Sequence, residues 1–286
     1  MEKTTQSAGA SKYAIQHHYD TSNDFYGLWL DKTRTYSCAL FESGEESLEE
    51  AQINKLDYHI RESRIKSGQR LLDIGCGWGS TIQRALETTD IRAAVGLTLS
   101  EQQVAYCERL NRREGVDIKL ENWEDHSTEH AYDGIISIGA FEHFSRPELN
   151  QVERIQGYRK FFEKCHKWLP NKGFLSLQTI AYGTAERSQI NQFILDEIFP
   201  QSDLPYLEDI VIASKGIFEI QRVRNDRMDY AKTFKHWKKR FKVQRQAAVH
   251  LVGETKVAHY EKYMDLFMIG FHIGNMVLYR LTMKAI

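Results

Sequence analysis

LLDIGCGWGS, Leu71–Ser80, is the stretch on which the fold turns. Leu71, Leu72 and Ile74 supply a buried strand, Asp73 stands at its end, and Gly75, Gly77 and Gly79 follow before helix-compatible residues. Glycine at such a turn lets the backbone approach a ligand closely and take dihedrals that other residues resist. In a doubly wound sheet this turn opens onto the crevice at the carboxyl ends of the strands, where nucleotides bind. Taken alone, the stretch also reads as an ordinary turn in an α/β domain. The order Asp-x-Gly-x-Gly differs from the dinucleotide fingerprint Gly-x-Gly-x-x-Gly, which argues against an oxidoreductase.

Outward from this turn, strands and helices alternate. The pattern predicts strands at 70–74, 92–97, 117–120, 133–138 and 173–180, with helices at 78–88, 101–114 and 148–168. IFEIQRVR (217–224) and MVLYRLTMKA (276–285) read as two final strands. This alternation predicts an α/β fold, a seven-stranded, mostly parallel sheet with helices on both faces. A helix is expected over 47–66, and two more at 229–250 and 255–272. Asp20, Ser22 and Asp24 are candidate caps ahead of the apolar segment Phe25–Leu30. The core is expected at 67–180 with 216–225 and 275–286. The segments 11–66, 181–215 (with FILDEIFP) and 226–274 are not needed by that core and are expected to form a helical cap over the strand ends. Only four prolines in 286 residues argue against long linkers, so one domain is expected.

The net charge of −1 implies no bulk attraction to nucleic acid or to an anionic membrane. No apolar run approaches the roughly 18 residues of a membrane span, and MEKTTQSAG is not a signal peptide. Cys38, Cys76, Cys107 and Cys165 lack paired spacing, so a reduced, cytoplasmic setting is the expectation and no zinc or redox motif is present. Nor does a His/Asp/Glu cluster with ligand spacing fall at the strand ends, so no metal is expected. A homo-oligomer is compatible with the sequence.

Several residues gather at the predicted strand ends. Asp73 is placed to polarise the glycine turn or to accept from a ligand, and the helix N-terminus after Gly79 offers unpaired N–H groups to a carboxylate. After the second strand stand Thr98 and Leu99 in place of an acidic residue. The Thr98 hydroxyl and the Gln103 amide offer polar contacts instead. In NWEDH, Trp123 is suited to flank a base and Glu124 or Asp125 to accept from an exocyclic amine, although Trp123 also reads as a packing residue. SIGAFEHF puts Glu142 and His143 just outside the sheet, beside the predicted crevice.

These pieces together resemble the cyclopropane fatty acid synthase family of class I S-adenosylmethionine-dependent methyltransferases, most closely its mycolic acid cyclopropane synthase branch. The likeness runs from about residue 17 to the C-terminus through HYDTSNDFYGLWLD, TYSCALFE, EEAQINKLD, LLDIGCGWG, VGLTLSEQQ, SIGAFEHF, EIFP and DYAKTFKHW. It implies a Rossmann-like class I methyltransferase sheet with a helical cap, and S-adenosylmethionine as cofactor. Cofactor contacts would fall on Tyr36, Ser37, Gly75, Gly77, Thr98, Leu99, Gln103, Trp123, Glu124 and Ile138.

The chemistry so implied is methyl transfer to a carbon–carbon double bond, leaving a carbocation that loses a proton or closes to a cyclopropane. Cyclopropanation in this family uses a bound bicarbonate as base, and its cradle maps to Cys38, Glu142, Gln178, Ile180 and Tyr230. Where the family has histidine, this chain has Gln178, in SLQTIAYG. An amide donates a hydrogen bond but cannot become cationic. That removes a charge-assisted contact on the order of 1–3 kcal/mol and counts against bicarbonate. Glu142 is then the carboxylate expected to face the cation or take the proton. Tyr19 and Tyr230 are candidates for stabilising it through their rings, an attraction of about 0.5–2 kcal/mol in dry sites. Cys38 has nothing local to lower its pKa and is not read as a nucleophile. The resulting expectation is a C-methyltransferase acting on an alkene of a hydrophobic, lipid-like or prenylated molecule. The alternatives are a cyclopropane synthase acting on unsaturated acyl chains and an N-methyltransferase of a small amine. A non-catalytic cofactor-binding module is disfavoured, because the glycine loop and Glu142 are both intact.

Overall fold

The structure, a computed structural model, describes residues 9, 22–110, 113–129, 131–189, 193 and 201–286. The strands are β1 (Arg70–Ile74), β2 (Ala93–Thr98), β3 (Val116–Leu120), β4 (Gly134–Ile138), β5 (Phe174–Tyr182), β6 (Phe218–Asn225) and β7 (Met276–Ala285). They form one sheet in the order β3-β2-β1-β4-β5-β7-β6. β1 to β5 pair in parallel, and β7 runs antiparallel between β5 and β6. All seven expected strands are present, each with ends within two residues of the sequence reading. The chain moves from β1 outward to β3 and then returns to β4 on the other side of β1. That reversal opens a crevice at the carboxyl ends of β1 and β4.

The helices are α1 (Asn23–Gly27), α2 (Leu48–Glu62), α3 (Ser80–Thr89), α4 (Glu101–Leu110), α5 (Gln151–Trp168), α6 (Leu207–Ser214), α7 (Arg227–Val243), α8 (Arg245–Val252) and α9 (Glu254–Ile273). Two start at reciprocal caps. Ser47 accepts from the Glu50 N–H at 3.3 Å while Glu50 accepts from the Ser47 N–H at 2.9 Å, and Asn150 with Glu153 repeats this ahead of α5. Ser22 caps α1, accepting from the Phe25 N–H. α2 stops at Glu62, short of the expected 66, because Arg64 turns into the left-handed region at φ 57°.

Alternation along the strands sends neighbouring residues to opposite faces. Leu71, Ala94 and Ile136 pack with Ile60 of α2 and Ile82 and Ala85 of α3. Leu72, Val95, Ile135, Leu175 and Leu281 pack with Phe161 and Phe162 of α5 and with Ile210 of α6. Each fully buried side chain of this size contributes about 1.5–3 kcal/mol.

A third, largely aromatic core lies outside the sheet. Phe25, Tyr26 and Trp29 pack with Tyr230, Phe234 and Trp237 of α7 and with Tyr260, Tyr263 and Phe267 of α9. It meets the sheet through Trp78 in the glycine turn, Ile180 at the end of β5 and Met276 at the start of β7, all at the carboxyl edge of the parallel strands. The two helices expected over 229–272 are three, because the backbone leaves helical geometry at Gln244 and Gly253 takes φ 83°. α6, from the segment assigned to the cap, packs on α5 at the flank of the sheet instead. FILDEIFP falls outside the described residues except for Phe193.

Candidate active site

The strand ends enclose a cleft of about 1060 Å³ that opens to solvent. Its walls contain all eleven candidate cofactor residues: Tyr36, Ser37, Asp73, Gly75, Gly77, Thr98, Leu99, Gln103, Trp123, Glu124 and Ile138. His143 also lines it. The glycine turn makes the floor. Gly75, Gly77 and Gly79 have φ of 81°, 55° and 80°, and the N–H groups of Gly75 and Cys76 both donate to the Leu97 carbonyl, at 2.9 and 3.0 Å. A Cβ on Gly75 would lie 2.6 Å from Ala140 Cβ, whereas one on Gly77 would meet nothing within 4 Å. Gly77 thus leaves empty the space that a side chain would fill.

Asp73 is 1 % exposed, and its Oδ2 has no hydrogen-bond partner. Burial pushes its carboxyl up to about 7, against the opposing influence of Lys55 and a Thr81 hydrogen bond. A buried acceptor left without a donor costs free energy unless something supplies one. Asp73 therefore fits a ligand that brings N–H or O–H donors or positive charge.

Around the rim, Thr98 Oγ1 lies 2.6 Å from Gln103 Oε1 and accepts from the Ser100 N–H at 3.2 Å. The two polar groups expected to replace an acidic residue form a single unit. Trp123 is both wall and packing residue, edge-on to Phe161 at 5.3 Å and tilted against Phe144 at 5.1 Å. Glu124 lies 3.6 Å from Lys160. Tyr36 donates to the Tyr263 hydroxyl at 3.1 Å and packs against Tyr26 and Trp237. Burial raises its phenol well above the usual range. His143 bonds Ser202 at 2.7 Å, and burial lowers its imidazole to about 4, which keeps it neutral near pH 7.

Cys38, Glu142, Gln178, Ile180 and Tyr230 are not among the residues that line this cleft. Glu142, in a 3₁₀ turn over Phe141–His143, is 5 % exposed. Its Oε1 accepts from the Ile180 N–H at 3.3 Å and its Oε2 from Thr179 Oγ1 at 3.2 Å. Burial pushes its carboxyl up to about 7. Between Glu142 and the cleft stands Gly139, at φ 67°. A Cβ there would sit 3.8 Å from Glu142 Oε1 and 3.9 Å from Ser37 Cβ. The carboxylate thus lies close to Gly139, a residue of the cleft wall.

Cys38 is fully buried, and burial pushes its thiol up to about 12, so it is no nucleophile. Tyr230 packs against Phe271 and Phe234 with the rings tilted by 31°, at centroid distances of 4.6 and 4.9 Å. Tyr19 lies outside the described residues. Among the described residues no group of three or more His, Cys, Asp or Glu side chains is placed to hold a metal ion. No described helix is long and apolar enough to cross a membrane.

Two residues that sequence reasoning missed stand at the site. Lys55 of α2 lines the cleft, is 1 % exposed, and donates from Nζ to Ser37 Oγ at 2.8 Å. Burial lowers its ammonium to about 7. Arg280 of β7 is fully buried behind Cys38 and Gln178. The helical spacing held a signal for the first. Gln52, Lys55 and His59 fall on the same stripe as the buried Leu48, Ala51 and Leu56.

The family model for mycolic acid cyclopropane synthetase matches residues 6–281. Cyclopropane mycolic acid synthase 3 of Mycobacterium tuberculosis is 36% identical over 282 residues, covering 90% of this chain and 93% of its own. Hydroxymycolate synthase MmaA4 of Mycobacterium bovis is 36% identical over 267 residues, covering 87% of this chain and 85% of its own. Among solved structures, mycolic acid cyclopropane synthase CmaA1 complexed with SAH and CTAB superposes with a TM-score of 0.87 at 35% identity, over 96% of this chain and 99% of that one. Coclaurine N-methyltransferase, at 21% identity and a TM-score of 0.80, covers 99% of this chain and 84% of its own and shares the fold.

Proposed function

The chain belongs to the mycolic acid cyclopropane synthetase family of class I methyltransferases, and on that premise we propose that it methylates an alkene carbon of a hydrophobic, lipid-like molecule, using S-adenosylmethionine. One observation carries this reading: the buried Glu142 carboxylate stands behind Gly139, against the cleft that holds all eleven cofactor candidates.

The cleft fits S-adenosylmethionine. The Asp73 Oδ2 is an unspent acceptor for its polar groups, Gly77 leaves room for it, and CmaA1, whose structure is a complex with SAH, is a relative with the same fold. Bound there, the cofactor supplies an electrophilic methyl group. Trp123 and Leu99 supply apolar wall, and the Thr98–Gln103 unit supplies hydrogen bonds at the rim. The alkene carbon that accepts the methyl leaves its neighbour cationic. Glu142 provides the negative charge facing that cation, held in place by Thr179 and the Ile180 N–H. Tyr230 and the aromatic core around it suit an apolar acyl or prenyl chain. Proton loss to Glu142 would end the reaction as a methylated alkene.

Ring closure is the second reading. The names of the cyclopropane synthases at 33–36% identity favour it, and by the sequence resemblance four of the five cradle positions, all but Gln178, carry the residue of the family. The test is to incubate the protein with isotope-labelled S-adenosylmethionine and monounsaturated acyl chains, prenyl indoles and amines, and to solve the products by NMR. Every route adds one CH₂, so mass alone does not separate them. Label appearing only on nitrogen would overturn both readings.

A further inference from the structure

Arg280 is fully buried in the middle of β7. A guanidinium keeps its proton in a protein, so its burial demands a paired charge and occupied N–H groups. Asp226 supplies the counter-charge. Arg280 Nε donates to Gln178 Oε1 at 2.8 Å. One terminal nitrogen donates to the carbonyls of Cys38 and Ala39, at 3.3 and 3.0 Å, and lies 3.6 Å from Cys38 Sγ. Gln178 is its direct cross-strand neighbour. Asp226 precedes α7, and its carbonyl accepts from the Tyr230 N–H at 3.4 Å. One side chain thus ties together the loop bearing Cys38, the strand bearing Gln178 and the helical turn bearing Tyr230.

The same contacts fix which way the Gln178 amide points. Arginine has no acceptor, so the atom facing its Nε must be the amide oxygen. His59 Nε2 lies 3.2 Å from that oxygen, and its Nδ1 lies 2.8 Å from Ser176 Oγ. The ring is then the Nε2–H tautomer, taking the Ser176 hydroxyl proton at Nδ1. Burial, with Arg280 and Lys55 nearby, keeps it neutral by lowering its pKa well below the usual value. Both hydrogen bonds of the Gln178 side chain end on Oε1, and Nε2 has no partner among the described residues.

We propose that Arg280 is the positioning residue of the acceptor site: it turns the Gln178 amide so that the N–H₂ edge, not the oxygen, is presented to the acceptor. The positive charge that a histidine would bring at position 178 comes instead from the guanidinium of its cross-strand neighbour. Proton acceptance is left to Glu142. This inference rests on the alkene-methylation reading for its kinetic arm alone.

The test is a double-mutant cycle on the full chain with Arg280→Lys and Gln178→Met, singly and together. Should Arg280→Lys fail to fold, Arg280→Met with Asp226→Asn, which removes both charges, takes its place. The first readout is ¹⁵N NMR of the S-adenosylhomocysteine complex. The Gln178 side-chain amide should move in the Arg280 variant, and in the wild type it should shift when CTAB is added as an apolar-chain probe. An amide signal that the Arg280 variant leaves in place overturns the proposal. The second readout is kcat on an oleoyl chain. Each single variant is expected to lower kcat about tenfold with cofactor Kd within twofold, and Arg280→Lys to add less than twofold once Gln178 is Met. Full additivity overturns the proposal. If no alkene is methylated by the wild type, the acceptor reading fails while the NMR arm still decides the role of Arg280.

Discussion

The Ile180 N–H points at Glu142, 3.3 Å from Oε1, and so pins a buried carboxylate against the end of β5. Thr179 holds the other oxygen at 3.2 Å. A preorganised charge of this kind acts on a developing cation without reorganising first. Glu142→Gln keeps the shape and removes the charge. The expected loss is about 3 kcal/mol of transition-state stabilisation, or roughly two orders of magnitude in kcat. Single-turnover rates with cofactor affinity measured alongside check this. Near-wild-type turnover in the variant would remove Glu142 from the mechanism.

Glu142 also sets opposite pH signs on activity and stability. Its carboxyl is pushed from 4.5 up to about 7 by burial. Between those values the folded chain holds the proton and the unfolded chain has lost it, so this group's stabilising share falls as pH rises through that window, by about 3 kcal/mol in all. The charged form that faces a cation grows over the same range, so kcat/KM should rise through pH 7. Asp73 adds to the stability slope and His143 opposes it, so the quantity to measure is wild type minus Glu142→Gln. Urea midpoints at pH 5 and pH 7.5 give that difference, and no change in it would contradict the burial argument.

Lys55 carries a separate prediction. Its ammonium is lowered from 10.5 to about 7, mainly by burial and despite Asp31 nearby. From pH 7 to 10.5 the unfolded chain binds the extra proton, so Lys55 makes stability rise with pH there. Lys55→Met should abolish that rise. It also removes the Ser37 contact and the cation nearest Asp73, and cofactor affinity should fall about tenfold, or 1.4 kcal/mol. Calorimetry reads the affinity and denaturant titration reads the slope. Unchanged affinity would mark Lys55 as structural only.

The strands and the glycine turn were legible because period-two apolar runs and clustered glycines are local signals. Lys55, His59 and Arg280 were not, because a polar residue reads as solvent-facing until its partner is known. Arg280 finds Gln178 102 residues away, and His59 finds Ser176 117 residues away. Burial of such groups is tolerable only when those distant partners meet. Glu142 was legible as a residue near the crevice, but its place behind Gly139 depends on how the Phe141–His143 turn folds back on β5. The division of 229–272 into three helices hinges on single residues, Gln244 and Gly253, at which helix patterning carries little information.

Two glycines of the site should fail differently. A Cβ on Gly77 meets no protein atom, so Gly77→Val would fold, at the cost of strain at φ 55°, and place its methyls in cofactor space. Calorimetry should show no cofactor binding. Gly139→Ala puts its methyl between Glu142 Oε1 and Ser37 Cβ, so binding should survive within a few fold while turnover is lost. Cofactor affinity retained in Gly77→Val would sink the assignment of the cleft.

Carbonate dependence separates the two product classes. Gln178 is neutral, and its oxygen is committed to Arg280 and His59, so the position offers an anion only an N–H₂ group. If Glu142 takes the proton, activity should survive in carbonate-free buffer and the NMR product should be a methylated alkene, formed directly or after rearrangement of the cation and loss of its proton. Gln178→His restores an imidazole, but beside Arg280 that ring is disfavoured as a cation. The variant should therefore gain carbonate sensitivity and some ring closure only at lower pH, where the ring can still be protonated. Strict carbonate dependence in the wild type with a cyclopropane product would instead establish ring closure. In that case the positive charge needed to hold the anion would have to come from Arg280 through Gln178. Arg280→Lys would then raise the carbonate concentration needed for half-maximal rate, a shift that the alkene route does not produce.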